Sequence, residues 1–391
     1  MKNKKWLIAI FIFWLLLIYI VATIIAQDKI LPYAPTFVGA EQLTGEKMPL
    51  VLYRLNSFDG VHYRGIAVGG YEMADLTQAF FPLYPLLIRG FTFIRMEAFA
   101  ASLLISVVSC FLFLFYAFEL LGKNFSRPIA QWFVLIMLSA PAGFFLAAGY
   151  NESLFLLWLI LALSKYKQKK YWQVAIFCAL ASATRLVGII LPVALIIDYF
   201  WHKWTKNRHL RKKDWQNLAI LGLGALGLLA YMFYLWQNYH DPLYFMTVQS
   251  KFGGGRETSH LILLPQVIYR YVKMFVVGLN WDLKTWAVAQ EFAISLIYLA
   301  ILGWTGWQNW RQKKEAVPWS WWLFSVGAYL VPTLTGNFSS MPRYVLVCLA
   351  APLFLAKFFA RHKRFGVVLI GLSVLVMLFN LALFIQGYWV A

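Results

Sequence analysis

The sequence predicts an all-α fold, a polytopic transmembrane helical bundle of about 11 spans, on three observations. Of its 391 residues, 61% are hydrophobic and only 13% are charged, where a soluble domain carries roughly a quarter. Apolar runs long enough to cross a hydrocarbon core recur along the whole chain. Lys and Arg collect in every second connection between those runs, the asymmetry that orients membrane helices.

Each run has its own justification. The first, 6–26, follows Met1-Lys2-Asn3-Lys4-Lys5. It is longer than the core of a signal peptide, and Ala22–Gln27 is a poor cleavage region, so it reads as a retained span. Runs 98–121 and 129–148 follow, separated by Lys123 and Arg127. Three short, closely spaced runs occupy 152–164, 171–184 and 186–201. Runs 217–236, 286–307, 317–333, 344–359 and 365–387 complete the set.

Orientation comes from the basic residues. With a cytoplasmic N-terminus, the inner segments hold the lysines at 2, 4 and 5, Lys123 and Arg127, and the 165–170, 203–213, 311–314 and 357–364 clusters. These account for 22 of the 35 Lys and Arg residues. The chain then reads as one membrane domain, 1–391, with two long outer segments, 27–97 and 237–285, that carry the site. Phe80–Phe93 and Val267–Leu279 within them are expected to lie in the interface plane as amphipathic helices.

The net charge of +19 does not point to nucleic acid, because the basic residues sit in short clusters between apolar runs and form no basic face. Cys110, Cys178 and Cys348 fall inside apolar runs, without metal or disulfide spacing.

Acidic residues number only 16, so their placement is informative. The densest polar stretch is Asn56-Ser57-Phe58-Asp59-Gly60-Val61-His62-Tyr63-Arg64, followed by Glu72, Asp75 and Phe80-Phe81-Pro82-Leu83-Tyr84-Pro85. Asp59 and His62 are three apart and share a face if this stretch is helical. A carboxylate there suits a general base. The residues alone leave a second possibility open, that Asp59 caps the helix after it. Asn151-Glu152, Arg185 and Arg343 border the outer ends of runs, a costly depth for ionisable groups unless they face a partner or cavity. Arg also suits phosphate through its planar fork. Asp241, Gln249, Gly253-Gly254-Gly255 and Arg256 form a glycine-rich outer loop that either closes over a ligand or serves only as a flexible connection.

Asp59-x-x-His62-Tyr63 with Phe80-Phe81-Pro82-Leu83-Tyr84-Pro85 resembles the signature of the PIG-V family of mannosyltransferases, known in eukaryotes as GPI mannosyltransferase 2. The resemblance continues through Asn151-Glu152-Ser153, Ala183-Thr184-Arg185, the Asp241…Gln249…Arg256 loop and Met341-Pro342-Arg343-Tyr344. Two departures stand out. Phe58 replaces the family's usual Trp, and altered spacing leaves Glu72 and Asp75 as alternatives for a second acidic role. The resemblance implies a GT-C glycosyltransferase that takes a hexose, expected to be mannose, from a polyprenyl-phosphate donor to a glycan or glycolipid acceptor. It implies Asp59 as catalytic base. His62, Tyr63, Glu72, Asp75, Asn151, Glu152, Arg185, Gln249, Arg256 and Arg343 become the expected substrate-binding residues. No metal or other cofactor is assigned, although a divalent ion is not excluded. The expected location is a bacterial cell membrane, with the site extracytoplasmic. A lipid-linked sugar transporter, a scaffold subunit and a GT-C enzyme for another sugar are the rival readings.

Overall fold

The computed structural model describes residues 2–27, 49–71, 76–205, 209–249, 260–278, 283–311 and 316–390. Every regular element among them is helical. In chain order they are α1 (Lys2–Gln27), α2 (Leu50–Arg54), α3 (Asp59–Gly69), α4 (Leu83–Thr92), α5 (Ala98–Asn124) and α6 (Arg127–Ser139). Next come α7 (Glu152–Lys167), α8 (Tyr171–Thr184), α9 (Ile190–Trp204), α10 (Lys212–Gly222), α11 (Leu226–Tyr239) and α12 (Tyr244–Thr247). The last six are α13 (Leu264–Val277), α14 (Leu283–Arg311), α15 (Trp319–Thr333), α16 (Met341–Tyr344), α17 (Ala350–Arg361) and α18 (Lys363–Ile385).

The outer helices show which solvent they face. On α1, Leu7, Phe11, Trp14, Ile18 and Ala22 are buried, while Ile8, Ile12, Phe13, Leu16, Ile20 and Ile24 are exposed. The buried set recurs with the helical period, yet the opposite face is just as apolar. Water would not tolerate that face, and lipid does. The same holds on α18, where Val367, Val368, Leu372 and Leu375 point outward. The chain is an integral membrane protein.

Six helices are long and apolar enough to cross a membrane, or seven if the pair Met341–Val347 and Ala350–Arg361, bent by 77°, is one span. Five of the eleven expected spans fall short of that form: 152–164, 171–184 and 317–333 are helices of only 16, 14 and 15 residues, and two others are interrupted. Run 129–148 stays helical only as far as Ser139, because Ala140 precedes Pro141 and a residue before proline is pushed out of the helical region. Residues 140–151 then run as turns and one 3₁₀ turn, Gly143–Leu146. Run 344–359 is broken at the 77° bend. The full count of about 11 is therefore not established, though the all-helical membrane bundle is.

Helices α5, α7 and α9 run one way and α8 runs back, which sets two ends. Lys123, Lys167, Lys170 and Lys203 mark one; Glu97, Glu152, Arg185 and Ile190 mark the other. Between them α7 spans 16 residues, or roughly 24 Å. Apolar packing continues from Leu7 through Phe113, Phe155 and Leu195 to Val390. A second cluster gathers α3, α4 and Phe80 against Leu154, Tyr231 and Phe245. All three cysteines are buried and unbridged.

Candidate active site

Asp59 is the first residue of α3 and lies in its first turn. Its carboxylate meets Arg343, Oδ2 to Nη1, at 2.6 Å. This ion pair gives the carboxylate a role beside the capping that the sequence left open. Phe58, just before it, holds φ at 55°, a left-handed conformation that bulky residues rarely adopt. Its ring lies against Phe384 at 5.6 Å and edge-on to Trp389 at 5.2 Å. Such packing can hold a strained turn.

Arg343 is presented from the opposite half of the chain by a similar device. It follows Ser340, whose φ is 66°. Glu291 of α14 fixes this turn by accepting the Ser340 N–H at 2.9 Å and the Tyr271 hydroxyl at 3.2 Å. The Phe338 N–H donates to the same Tyr271 oxygen at 3.0 Å.

The α7–α8 hairpin supplies the other half. Glu152 opens α7 and Arg185 follows the last residue of α8, so both fall at one end. Glu152 Oε1 lies 2.7 Å from Arg185 Nη1 and 3.3 Å from Arg343 Nε. Arg185 also donates to Asn151 Oδ1 at 3.4 Å, and Asn151 Nδ2 donates to the Thr184 carbonyl at 3.0 Å. The result is an alternating chain, Asp59–Arg343–Glu152–Arg185, in which two carboxylates balance two guanidinium groups. Asp59 is its most exposed member at 20%, against 11% for Arg185, 4% for Arg343 and 1% for Glu152. Only Asp59 thus offers an oxygen at an accessible edge.

Aromatic faces enclose the central arginine. Its guanidinium lies 5.2 Å from the ring centre of Tyr150, 5.5 Å from Phe145, 5.6 Å from Tyr344 and 5.9 Å from Trp389. Those contacts partly replace lost hydration. Arg343 Nε and Nη1 and Glu152 Oε2 are buried without an aligned hydrogen-bond partner. The ion contacts are therefore close but poorly directed, leaving donors suited to another oxygen ligand.

Polar contacts beneath the cluster fix its height. The backbone N–H of Gly149 donates to the Leu55 carbonyl at 3.0 Å. A Cβ at Gly149 would fall 1.7 Å from Asn56 Oδ1, so only glycine permits this approach. Ser102 donates to that Asn56 oxygen at 2.6 Å. Tyr84 donates its hydroxyl to the Ser102 carbonyl at 2.9 Å and lies 2.9 Å from Ser106 Oγ. Ser106 donates to the Tyr150 carbonyl, and the Tyr150 hydroxyl donates to the Ser57 carbonyl, each at 2.7 Å.

His62 lies on the Phe80 ring, 4.9 Å away and tilted 23°. Burial pushes its pKa down, with the Asp59 charge opposing, so the neutral ring is favoured. Tyr63 is buried edge-on to Phe80 and Tyr84, and burial holds its hydroxyl well above the usual phenol range. Gln249 is half-buried, and no described contact joins it to the four charges. Asp241 caps its own turn through the Leu243 N–H at 2.8 Å. Glu72, Asp75 and Arg256 lie outside the described residues. Among the described residues, no three His, Cys, Asp or Glu side chains converge to hold a metal.

Sequence reasoning missed the cage residues Phe145, Tyr150 and Trp389 and the bracing carboxylate Glu291. Glu291 did carry a signal, since an acidic residue inside an apolar run needs a partner. The aromatics were indistinguishable from the many others in the chain.

No family model matches the chain. It is similar to GPI mannosyltransferase 2 of Schizosaccharomyces pombe, 26% identical over 254 residues, which cover 62% of this chain and 45% of that protein. It is also similar to GPI alpha-1,6-mannosyltransferase 2 of Homo sapiens, 30% identical over 169 residues, covering 40% and 34% respectively. The chain thus matches less than half the length of either relative. The resemblance read from the motifs is borne out by both. In fold the chain is similar to ArnT from Cupriavidus metallidurans, solved bound to undecaprenyl phosphate. The identity is 12% and the TM-score 0.53, over 95% of this chain and 63% of that one. That likeness supports the expected GT-C-like architecture.

Proposed function

We propose that this chain is a membrane glycosyltransferase that transfers a hexose, in our reading mannose, from a polyprenyl-phosphate donor to a hydroxyl of a glycan or glycolipid. In this reading the site faces the extracytoplasmic side of a bacterial cell membrane, and the reaction inverts the anomeric centre. One observation carries the proposal: the partly exposed carboxylate of Asp59 ends a buried chain of charges that includes two arginines and donors without aligned partners. The mannosyltransferase names of both relatives support the sugar. The undecaprenyl phosphate on ArnT supports the class of donor.

The ion pair shapes the mechanism. A carboxylate 2.6 Å from a guanidinium is a poor base. When the donor phosphate occupies the misaligned donors of Arg343, the arginine shifts its charge to that phosphate and Asp59 becomes more basic. The acceptor O–H then gives its proton to Asp59. The acceptor oxygen forms the new bond to the anomeric carbon while the bond from that carbon to the phosphate oxygen breaks. The electron pair leaves with the polyprenyl phosphate, whose added negative charge meets Arg343 and Arg185. Glu152 keeps both arginines in place. The second acidic role remains with Glu72 or Asp75, and Gln249 and Arg256 remain donor-contacting candidates.

The test is Asp59→Asn, purified and assayed with polyprenyl-phosphate mannose and a glycan acceptor. Transfer should fall by about 10²- to 10⁴-fold in protein that still folds in detergent, its thermal midpoint lowered because Arg343 loses one of its two carboxylate partners. Full transfer by a well-folded Asp59→Asn protein would remove Asp59 as base. Flux of lipid-linked sugar across vesicles without any transfer would favour a transporter.

A further inference from the structure

The end of the bundle remote from Asp59 holds a cleft of about 1080 Å³ between the α7–α8 hairpin, the end of α9, the start of α10 and the start of α15. Sugar transfer in our reading makes no use of it. We propose that this cleft binds the phosphate head group of an anionic membrane lipid.

Charge inside the cleft is unevenly spent. Its two carboxylates already have partners, although Asp198 Oδ1 lacks an aligned hydrogen bond. Asp214 takes Lys203 at 2.7 Å, the Tyr199 hydroxyl at 2.5 Å and the Arg211 N–H at 2.9 Å. Asp198 accepts from the Tyr166 hydroxyl at 2.8 Å, and His202 Nδ1 lies 3.5 Å from its other oxygen. Lys167, Lys169, Lys170 and Lys213 also line the cleft. None of these four has a carboxylate within ion-pair distance among the described residues. Four uncompensated cations around one concavity make a phosphate site.

Two further observations assign the ligand to the membrane. Exposed Trp172, Trp201, Trp204, Trp215, Trp307 and Trp310 all lie towards this end of their helices, which marks the depth of lipid head groups. Trp172 and Trp319 themselves line the cleft, giving acyl chains an apolar wall beside the lysines. The hairpin also bears a cost. Lys169 sits at φ 59°, where glycine would be more comfortable.

That strain provides a clean test. The full chain in detergent is titrated with phosphatidylglycerol, phosphatidylcholine and glycerol 3-phosphate, and bound lipid is counted by native mass spectrometry. The parent should retain phosphatidylglycerol over phosphatidylcholine. Combined Lys167→Gln, Lys169→Gly, Lys170→Gln and Lys213→Gln should lose that preference, by about fivefold per lysine. Relief at position 169 should leave the thermal midpoint no lower, so a folding defect would not explain the loss. Lys363→Gln with Arg364→Gln, at the same end but outside the cleft, should keep the preference. Equal retention of both lipids by the parent, or undiminished preference in the cleft variant, overturns the proposal. Loss in the Lys363/Arg364 control also overturns it, in favour of diffuse charge. Displacement of the lipid by equimolar glycerol 3-phosphate overturns the lipid assignment in favour of a soluble phosphate.

Discussion

Glu152 and Lys167 begin and end the same 16-residue helix, but their surroundings treat charge in opposite ways. At the Glu152 end, four charges are buried or nearly so, cross-paired in a chain and walled by aromatic rings. At the Lys167 end the lysines are mostly exposed, and four of those lining the cleft have no acidic partner. The first arrangement is interdependent, because a buried ion stripped of its partner keeps its full desolvation penalty. The second is redundant, because each ammonium is exposed to solvent and none depends on another for its hydration. Charge that costs stability is concentrated where chemistry is proposed.

The sharpest way to break this contrast is Arg343→Met. It leaves Asp59 and Glu152 without their shared cation, and unfolding in detergent should be destabilised by about 3–5 kcal/mol. A shift no larger than that of a surface lysine would show that water reaches the cluster and that the two ends are alike. Gly149→Ala probes the same end through packing alone. A Cβ 1.7 Å from Asn56 Oδ1 forces the α2–α3 turn to move, at a cost of about 1–3 kcal/mol. Transfer activity should drop with it, since that turn aims Asp59.

Smaller effects sharpen the comparison. Tyr84→Phe removes the donor to the Ser102 carbonyl and the contact with Ser106. The loss should be about 0.5–1.5 kcal/mol, measured as the thermal midpoint, because Ser106 retains the Tyr150 carbonyl. Lys123→Ala lies at the other extreme. Its 3.8 Å contact with Glu119 is made by a side chain that is 73% exposed, and its removal should stay within about 0.5 kcal/mol. If the Lys123 change exceeded that of Tyr84, the division between buried and solvated ends would fail.

Much of this was legible beforehand because it depends on local pattern. Asp59 stood out within the densest polar stretch, and Glu152, Arg185 and Arg343 each as a charge beside an apolar run, where hydration is scarce. What could not be read was their mutual arrangement. Asp59 pairs across the chain with Arg343, and Glu152 touches both arginines. That Asp59 meets a cation at all depends on the position of α16, which no local pattern gives. The early stop of α6 was written in Pro141, but its use, turning 140–151 back beneath Asp59, was not.

The sequence by itself determined an all-helical membrane protein with its basic residues gathered at one end, because hydropathy and charge act over one helix length. The tertiary structure decided which charges meet, which rings enclose Arg343 and which lysines share a cleft. Those contacts join residues far apart in the chain, and their energies depend on ångström-scale separation and shared burial, which no local window contains.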